Sequence, residues 1–435
     1  MMRFNQHLRL QTQFLTRLFT AQIRTKKEGC QIQVRDFSKG TTNTAHITET
    51  GINLDGRDLL HVETRNMCRC EECFGKFAHQ IKNLPPIGNT LPGIKVQEIG
   101  KLSEHYVSLK WTDGHEGLIS RTIRGDFGPG KIESRVRKWL DLTRRKNSEQ
   151  EFWRTPNEEV KKIWDYSWVV SSGDNTREFL VHYITYGIAL MNGVPAGLKM
   201  EDIIYEGLKL GPLWASCYDL VDYVRFKPDP TNLGYGSGQL PLHLDLPYYY
   251  APPHVEFFYS IENTVEGGDS FWVDSFAAIT TMTQDRPDLV EILKTVPMTY
   301  RYTPPGSGVF QLTHHPLIRT VEGDLWRTVD SRWSMDAAQF TRERDLETRK
   351  KWWEAYSYYR DLVEDQSSWF VKKLEGGEVV LTDNWRVYHA RKEFKMTADE
   401  QERIVSTAYM DWNSMANRVL SPEKGDFVFL EIDQH

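Results

Sequence analysis

Three cysteines that lie within six residues, Cys68, Cys70 and Cys73, restrict the fold of this chain more than any other feature of its sequence. A secreted protein built on disulfides spreads its cysteines along the chain and contains more than the five found among these 435 residues. Three thiolates at this spacing can bind one ion, and tetrahedral zinc takes four ligands. The sequence therefore predicts a small zinc-stabilised domain in the first third of the chain. The nearby candidates for the fourth ligand are His79, His105 and His115.

Charge and hydropathy exclude two broad classes of function. Charged residues make up 26% and hydrophobic residues 40% of the chain, as in ordinary globular proteins. The formal net charge of -6 argues against a general nucleic-acid binder, which needs a basic surface. No run of about eighteen apolar residues occurs, so the sequence predicts no transmembrane helix.

The first 27 residues contain no acidic residue, whereas six basic residues alternate there with leucines and phenylalanines. This composition is typical of a mitochondrial transit peptide, and the apolar core of a secretory signal is missing. We therefore predict a transit peptide over residues 1–28 and a mitochondrial location. The alternative is a basic N-terminus without a targeting role, on a cytoplasmic protein.

The rest of the chain has the pattern of a mainly β protein with some α-helix. Short strands recur, and the turn sequences at 266–269 and 322–324 predict hairpins between them. The segment from Asp336 to about Val363 predicts one long charged helix. Many short strands with one helical excursion favour a jelly-roll barrel, that is, a double-stranded β-helix, over a doubly wound sheet. The predicted domains are a β-rich zinc-binding domain at 29–125, a connecting segment at 126–150 and a catalytic domain at 151–435.

A second candidate metal site begins with His243 and Asp245, the only His-x-Asp pair in the chain. Residues two apart on an extended strand point to the same side, so these two side chains can bind one ion. A third ligand must come from elsewhere in the barrel, and His389 is the candidate. Two imidazoles and one carboxylate leave three positions open on an octahedral ion, which suits Fe(II) with a bidentate co-substrate and O₂. Such a pair on its own is more often an ordinary surface feature, so the surrounding residues decide its meaning.

These surroundings resemble the γ-butyrobetaine and trimethyllysine hydroxylase family of dioxygenases. The resemblance runs in family order over roughly 210–415, and the zinc cluster extends it towards the N-terminus. The matching motifs are His243-Leu-Asp-Leu-Pro-Tyr-Tyr249, the turn Pro252-Pro253, Gly267-Gly-Asp-Ser270, Val273-Asp274, Asp383-Asn-Trp-Arg386 and Ala408-Tyr-Met-Asp-Trp412.

The resemblance implies an Fe(II)- and 2-oxoglutarate-dependent hydroxylase that uses O₂ as its second co-substrate. It implies that Arg403 anchors 2-oxoglutarate, because a planar guanidinium can hold a carboxylate with two parallel hydrogen bonds. Ser270 is expected to assist the same carboxylate, and Arg391 to neutralise nearby carboxylates. For the zinc ion, the family pattern selects His115, in the sequence Trp111-Thr-Asp-Gly-His115, as the fourth ligand. Dimer contacts in the family imply a homodimer.

The same resemblance implies a substrate pocket of aromatic rings. A trimethylammonium group cannot donate hydrogen bonds, so ring faces attract it instead. The family alignment places the rings of Tyr218, Tyr235 and Tyr409 in this pocket, together with the polar Asn232. Two positions depart from the family. Asp222 stands where a tryptophan is usual, and Leu246 stands where the butyrobetaine enzyme has a tyrosine.

The leading hypothesis is hydroxylation of a small trimethylammonium or amine substrate, with γ-butyrobetaine to carnitine as the first case. Asp222 and Leu246 motivate a rival within the same class, the oxidation of a different amine or betaine in a specialised pathway. A second rival is a catalytically silent, zinc-binding interaction protein. It is disfavoured because the candidate iron ligands and Arg403 are all present.

Overall fold

The structure is a computed structural model of the chain. It describes residues 44–68, 70–75, 80–81, 93–103, 106–121, 150–228, 230, 232–304, 308–396 and 401–420. The chain divides into two compact units, Met1–Asp126 and Phe127–His435. The predicted transit peptide and all but the last residue of the predicted connecting segment lie outside the described residues.

The described part of the first unit is a set of small antiparallel sheets with one short helix, His61–Asn66. The strands are β1 (Ala45–Ile47), β2 (Gly51–Leu54), β3 (Arg57–Leu60), β4 (Phe74–Gly75), β5 (Gln80–Ile81), β6 (Val96–Leu102), β7 (Tyr106–Trp111) and β8 (Glu116–Ser120). Buried and partly exposed residues alternate along β7, as its sequence predicts for a strand with one face in the core. Its inward residues Val107, Leu109 and Trp111 pack in a core with Ile52 and the buried cysteines.

The second unit combines strands with helices. Its strands are β9 (Ile163–Asp165), β10 (Ile188–Asn192), β11 (Val221–Arg225), β12 (Leu240–His243), β13 (Val255–Asn263), β14 (Glu266–Gly267), β15 (Ser270–Asp274), β16 (Met298–Tyr302), β17 (Gln311–His315), β18 (Ile318–Val321), β19 (Asp324–Thr328), β20 (Phe370–Lys372), β21 (Glu378–Asp383), β22 (Val387–Arg391), β23 (Phe394–Lys395) and β24 (Arg403–Met410). Its α-helices are Tyr166–Val170, Gly173–Tyr186, Ser275–Asp285, Pro287–Thr295, Ala337–Glu343, Leu346–Val363 and Trp412–Leu420. A π-helical turn spans Asp202–Gly207, and 3-10 turns span Leu233–Tyr235, Arg332–Ser334 and Gln366–Ser368.

Two sheets form the frame of this unit. The large sheet has the strand order β11-β24-β13-β21-β10-β9, and the small sheet has the order β12-β22-β15-β20. From β12 to β24 the chain passes repeatedly between the two sheets, which is the connectivity of a jelly roll. The predicted jelly-roll catalytic domain is therefore confirmed.

The large sheet has one apolar face and one face directed at a cavity. Along β13, Phe257 points into an apolar core that also contains Phe179 of the helix Gly173–Tyr186. Its neighbour Phe258 points to the other side and lines the cavity. Because side chains alternate along a strand, β13 contributes both to the core and to the cavity wall, and β11 and β24 also line the cavity.

Two local predictions need correction. The segment 266–269 does not form a hairpin, because the strand before it, β13, pairs with β21 and β24, whereas the strand after it, β15, pairs with β20 and β22. The predicted long helix breaks at Arg344 and Asp345, where the Asp345 side chain accepts a hydrogen bond from the Thr348 amide at 2.9 Å and starts a new helix. The hairpin at 322–324 is confirmed, since β18 pairs with β19 through Glu322 and Gly323 in left-handed conformations.

Among the described helices, none combines the length and the apolar character that crossing a bilayer requires.

Candidate active site

Three side chains with metal-binding atoms meet between the two sheets. His243 at the end of β12 lies directly opposite His389 on β22, and their ring centroids are 4.0 Å apart. Asp245 follows β12 by two residues, and its Oδ1 lies 3.2 Å from His243 Nε2 and 3.8 Å from His389 Nε2. The ligand atoms of the three residues lie within 4.8 Å of one another. The predicted trio therefore converges from two strands that are distant in sequence.

The position of Asp245 is fixed by the turn that joins β21 to β22. Asn384 in this turn accepts a hydrogen bond from the Asp245 amide at 2.7 Å and donates to the Asp245 carbonyl at 3.0 Å. It also donates to the Pro253 carbonyl at 2.9 Å. The following residue, Leu246, is buried with a φ of 57°, a conformation that non-glycine residues rarely adopt. This strained backbone turns the chain sharply immediately after the carboxylate.

Two further groups contact the trio. The Tyr409 hydroxyl donates to Asp245 Oδ2 at 2.5 Å. Glu256 on β13 is fully buried, and its Oε2 lies 3.4 Å from His389 Nδ1 while it accepts a hydrogen bond from the Thr382 hydroxyl at 3.0 Å. Burial, together with the charge of Asp245, raises the pKa of Glu256 well above its usual value.

The protonation states suit a metal site. Burial, assisted by nearby His243, lowers the pKa of His389 to about 3, so its imidazole is neutral and offers a lone pair. Burial alone would raise the pKa of Asp245, but its hydrogen bond with His243 and the neighbouring His389 hold that pKa below its usual value. Two imidazoles and one carboxylate are a donor set that fits Fe(II).

A cavity adjoins the trio, and all twelve site residues predicted for the second unit line it. On β24 the cavity-facing residues alternate, in the order Arg403, Val405, Thr407 and Tyr409. The predicted residues on its wall are Tyr218, Asp222, Asn232, Tyr235, His243, Asp245, Leu246, Ser270, His389, Arg391, Arg403 and Tyr409. Their common placement brings metal ligands, cations and tyrosines into one compartment.

Arg403 is a cation without a counter-charge. It begins β24, its guanidinium lies over the Phe394 ring, and it forms no ion pair with any residue that the structure describes. Burial, with a further contribution from nearby Arg391, lowers the pKa of Arg403 to about 9. A buried guanidinium in this state is stabilised by an anion, so the cavity is suited to a carboxylate ligand.

Arg391 is bound by backbone carbonyl groups. Its guanidinium donates to the backbone carbonyls of Gly234, Gly236 and Gly238, the last two at 2.7 and 2.6 Å. Within the described part of the chain it contacts no carboxylate. The neutralisation of a carboxylate by Arg391 stays a prediction, and among the described residues the side chain holds the segment that carries Asn232 and Tyr235.

The tyrosines that line the cavity take part in hydrogen bonds with one another and with neighbouring polar groups. The Tyr218 hydroxyl accepts from Asn232 Nδ2 at 2.7 Å and lies 3.2 Å from the Tyr248 hydroxyl. The ring of Tyr248 stacks on that of Tyr302 with centroids 4.7 Å apart. The Tyr235 hydroxyl donates to Asp222 Oδ2 at 2.7 Å. This part of the cavity wall therefore presents hydroxyl groups and one carboxylate as well as rings.

The zinc ligands predicted for the first unit also lie together. His115 Nε2 lies 3.3, 3.5 and 3.3 Å from the sulfurs of Cys68, Cys70 and Cys73. Tetrahedral zinc with ordinary bond lengths separates nitrogen and sulfur ligands by about 3.6 Å, so the group fits this ion. Arg65 donates to Cys73 Sγ at 3.4 Å, which stabilises a thiolate. Of the three histidines considered from the sequence, His79 and His105 lie outside the described residues.

Sequence reasoning missed three residues of the active site. Glu256 and Asn384 contact the metal ligands, and Tyr248 joins the tyrosine group. The alternation of β13 could have shown that Glu256 lies on the face opposite its apolar core, because a carboxylate between Val255 and Phe257 breaks an apolar run. Asn384 lies in the Asp383-Asn-Trp-Arg386 motif but was given no role, because its partners are distant in sequence.

The comparisons with known proteins agree with this geometry. A sequence profile described as "Taurine catabolism dioxygenase TauD, TfdA family" matches residues 157–409. The γ-butyrobetaine dioxygenase of Pongo abelii is 24% identical over 357 residues, which cover 82% of this chain and 88% of the relative. That of Pseudomonas sp. (strain AK-1) is 22% identical over 359 residues, 82% of this chain and 88% of the relative. The mitochondrial trimethyllysine dioxygenase of Bos taurus is 24% identical over 346 residues, 77% of this chain and 76% of the relative.

The profile covers more than half of the chain and includes both strands that carry the metal-binding trio. The γ-butyrobetaine and trimethyllysine dioxygenases are similar to most of its length, which confirms the resemblance drawn from the motifs. This protein therefore belongs to the TauD, TfdA family and is an Fe(II)- and 2-oxoglutarate-dependent dioxygenase.

Proposed function

We propose that this enzyme hydroxylates a small trimethylammonium or amine substrate, and that γ-butyrobetaine, which would give carnitine, is the first substrate to test. Relatives named for γ-butyrobetaine and for trimethyllysine support this substrate class. The observation that carries the proposal is Arg403, a cation with no carboxylate partner among the described residues, in the cavity that adjoins the metal-binding trio. A dicarboxylate co-substrate supplies the missing anion.

In this proposal each end of the cavity has its own task. His243, Asp245 and His389 hold Fe(II), and the bound metal with 2-oxoglutarate and O₂ supplies the oxidising chemistry. Arg403 holds the distal carboxylate of 2-oxoglutarate with two parallel hydrogen bonds, assisted by Ser270. The substrate occupies the opposite end of the cavity. The residues proposed to contact it are Tyr218, Asp222, Asn232, Tyr235, Leu246 and Tyr409.

A direct test measures succinate formed from 2-oxoglutarate by the Fe(II)-loaded protein, with and without γ-butyrobetaine. We expect formation that depends on iron and is stimulated by a substrate of the proposed class. His243→Ala should abolish both iron binding and turnover, because one of the three ligands is lost. His314→Ala, which removes an exposed histidine of the same unit, should change neither. Iron-loaded protein that forms no succinate under any of these conditions would contradict the proposal.

We also propose that Cys68, Cys70, Cys73 and His115 bind one structural zinc ion. The support is the close approach of all three sulfurs to His115 Nε2. A closed set of four protein ligands leaves no position for a substrate, so this ion stabilises the fold and takes no part in the reaction.

The remaining features of the proposal concern organisation and location. We propose the domains 29–125 and 151–435 joined by 126–150, a homodimer, and a mitochondrial transit peptide at 1–28. Trimethyllysine dioxygenases of Bos taurus and Mus musculus are named as mitochondrial, which supports the targeting. Light scattering of the purified protein tests the dimer. Fusion of residues 1–28 to a fluorescent protein tests the leader, and a diffuse cytoplasmic signal would contradict it.

A further inference from the structure

Four charged residues among those that the structure describes line the cavity, and one of them, Asp222, has no task in binding the metal or the co-substrate. Arg391 and Arg403 contribute two guanidinium groups. Of the lining residues that the structure describes, two are carboxylates, Asp222 and Asp245. Asp245 belongs to the metal-binding trio, so Asp222 is the remaining anion on the wall.

Asp222 lies at the substrate end, on the edge strand β11. It pairs with Thr407 of β24, which faces the same cavity. The Asp222 carboxylate accepts from the Tyr235 hydroxyl at 2.7 Å and forms no ion pair within the described part of the chain. A carboxylate has about four acceptor positions, so this group can accept further hydrogen bonds from a ligand.

Two of the tyrosine rings that line the cavity with Asp222 each have one face covered by a neighbouring group. The ammonium group of Lys227 lies 4.0 Å from the centroid of the Tyr235 ring. The face of Tyr248 is stacked on Tyr302. The hydroxyls of Tyr218 and Tyr248 lie 3.2 Å apart, and both rings line the cavity. A cation here therefore meets hydroxyl oxygens and a carboxylate as well as the ring faces that remain free.

These contacts discriminate between two kinds of cation. A protonated amine donates up to three hydrogen bonds, which hydroxyls and a carboxylate can accept. A trimethylammonium group donates none, and its methyl groups would cover the Asp222 carboxylate without replacing the hydrogen bonds that water makes to it. Ring faces would compensate this loss, but in this cavity Lys227 and Tyr302 occupy part of them.

We infer that the substrate of this enzyme carries a protonated N–H amine that Asp222 binds directly, and that this residue makes the cavity prefer such an amine over its trimethylated counterpart. The inference rests on the proposed function, and it narrows the proposed class of trimethylammonium or amine substrates to amines that donate hydrogen bonds. Asp222 is thus the specificity-determining residue of the substrate end.

The test uses two pairs of compounds that differ only in three N-methyl groups: 4-aminobutyrate with γ-butyrobetaine, and L-lysine with Nε-trimethyl-L-lysine. Dissociation constants are measured by calorimetry without oxygen on the protein loaded with Fe(II) and 2-oxoglutarate. We expect the unmethylated member of at least one pair to bind about tenfold more tightly or better, because a site built for N–H donors rejects analogues that lack them. Asp222→Asn should reduce that preference to within about threefold, since the anion is lost.

The controls separate this role from a structural one. Asp219→Asn makes the same chemical change three residues earlier, at an exposed position outside the cavity lining, and should leave the preference unchanged. Asp222→Glu keeps the charge and should retain the preference. The two compounds of each pair are also compared on the unmodified protein, so this result remains valid even if a variant fails to fold.

Three results would overturn the inference: equal or tighter binding of the methylated member in both pairs, no binding of any of the four compounds, or an unchanged preference in Asp222→Asn. Failure of the proposed function has a different signature. In that case the iron-loaded protein forms no succinate from 2-oxoglutarate, whatever amine is added.

Discussion

At the scale of single residues, Arg403 is the clearest case of a charged side chain that needs a ligand of opposite charge. Its guanidinium is desolvated, has no counter-charge among the described residues and faces the cavity beside the metal-binding trio. Replacing it tests the co-substrate site. Arg403→Ala should raise the KM for 2-oxoglutarate about 100-fold, because a charge-assisted bidentate pair is lost. Arg403→Lys should raise it about tenfold, because an ammonium group cannot reproduce the parallel geometry.

Steady-state kinetics with 2-oxoglutarate as the varied substrate measures this effect. The iron content should stay constant in both variants, because Arg403 is not a metal ligand. Arg225→Lys makes the same exchange at an exposed position on neighbouring β11 and should have no effect. A KM in Arg403→Lys equal to that of the unmodified enzyme would place the co-substrate elsewhere.

Glu256 supports a second prediction at this scale. Burial and the charge of Asp245 raise the pKa of Glu256 well above its usual value, which favours the protonated, uncharged side chain, so an uncharged amide is its closest replacement. Glu256→Gln should therefore bind Fe(II) with an affinity close to that of the unmodified protein. Glu256→Ala should bind it about 10- to 100-fold more weakly, because the group beside His389 Nδ1 that orients this ligand is lost.

Fe(II) affinity can be measured for both variants without oxygen by competition with a chelating dye. The unfolding temperature of each variant shows whether the fold is intact. Equal affinities for Glu256→Ala and Glu256→Gln would show that Glu256 does not orient His389.

The residues that sequence reasoning identified share a local signal. His243 and Asp245 stand two apart on a predicted strand, and the three cysteines lie within six positions. His389 and Arg403 were recognised through the order of family motifs, since no spacing connects them with His243. Glu256 and Asn384 were missed because their importance arises from partners that are more than 120 residues away, at Thr382, Asp245 and Pro253.

At the scale of elements, the turn between β21 and β22 joins the two sheets at the active site. Asn384 in this turn is buried, and it makes three hydrogen bonds to backbone groups near Asp245 and Pro253. Asn384→Ala should lower the free energy of unfolding by about 3 kcal/mol, because buried backbone groups lose their partners. It should also weaken Fe(II) binding, since Asp245 is no longer held in place.

Urea unfolding followed by circular dichroism measures the first effect, and the same dye competition measures the second. Asn413→Ala is the matched control, because Asn413 is exposed on the helix Trp412–Leu420. An Asn384→Ala variant as stable as this control would show that the turn does not depend on the amide.

Elements could be predicted where their partners are close in sequence. The strands β18 and β19 pair with each other and are joined by the turn between them, so the local sequence is enough to predict this hairpin. The segment 266–269 carries an equally strong turn sequence, yet it leads from the large sheet to the small one. A turn sequence shows that the chain reverses, but the strand partners are chosen by packing across the whole unit.

At the scale of the whole molecule, the sequence contains a separate metal-binding motif for each unit, whereas it contains no signal for the strand order. The cysteine cluster and the His-x-Asp motif lie about 170 residues apart, and each predicts a unit with its own metal. The strand order of the large sheet pairs β11 with β24 and β10 with β21, all of which are remote in sequence. Such pairings depend on how the chain closes its loops and buries its apolar residues, so they cannot be predicted from a local sequence pattern.

The first unit provides a prediction about metal and folding. Its core consists of a limited set of apolar residues around Trp111 and Ile52, and two of the four candidate zinc ligands are buried in it. A single core of this size rarely contributes more than about 5 kcal/mol of stability. Structural zinc in small domains contributes about 10 kcal/mol or more. Zinc binding therefore contributes more to the stability of the first unit than its apolar core does, so this unit should unfold when zinc is lost.

We expect one zinc ion per chain in the unmodified protein and almost none in Cys73→Ser. In that variant hydrogen exchange at the amides of β7 should approach the rate of an unfolded chain. The amides of β21 should remain protected, because the second unit has separate cores around Phe257 and Tyr300. Cys217→Ser, which removes a thiol outside the cluster, should keep both the zinc and the protection. Elemental analysis and exchange mass spectrometry measure these quantities, and a protected β7 in zinc-free Cys73→Ser would show that the apolar core suffices without the metal.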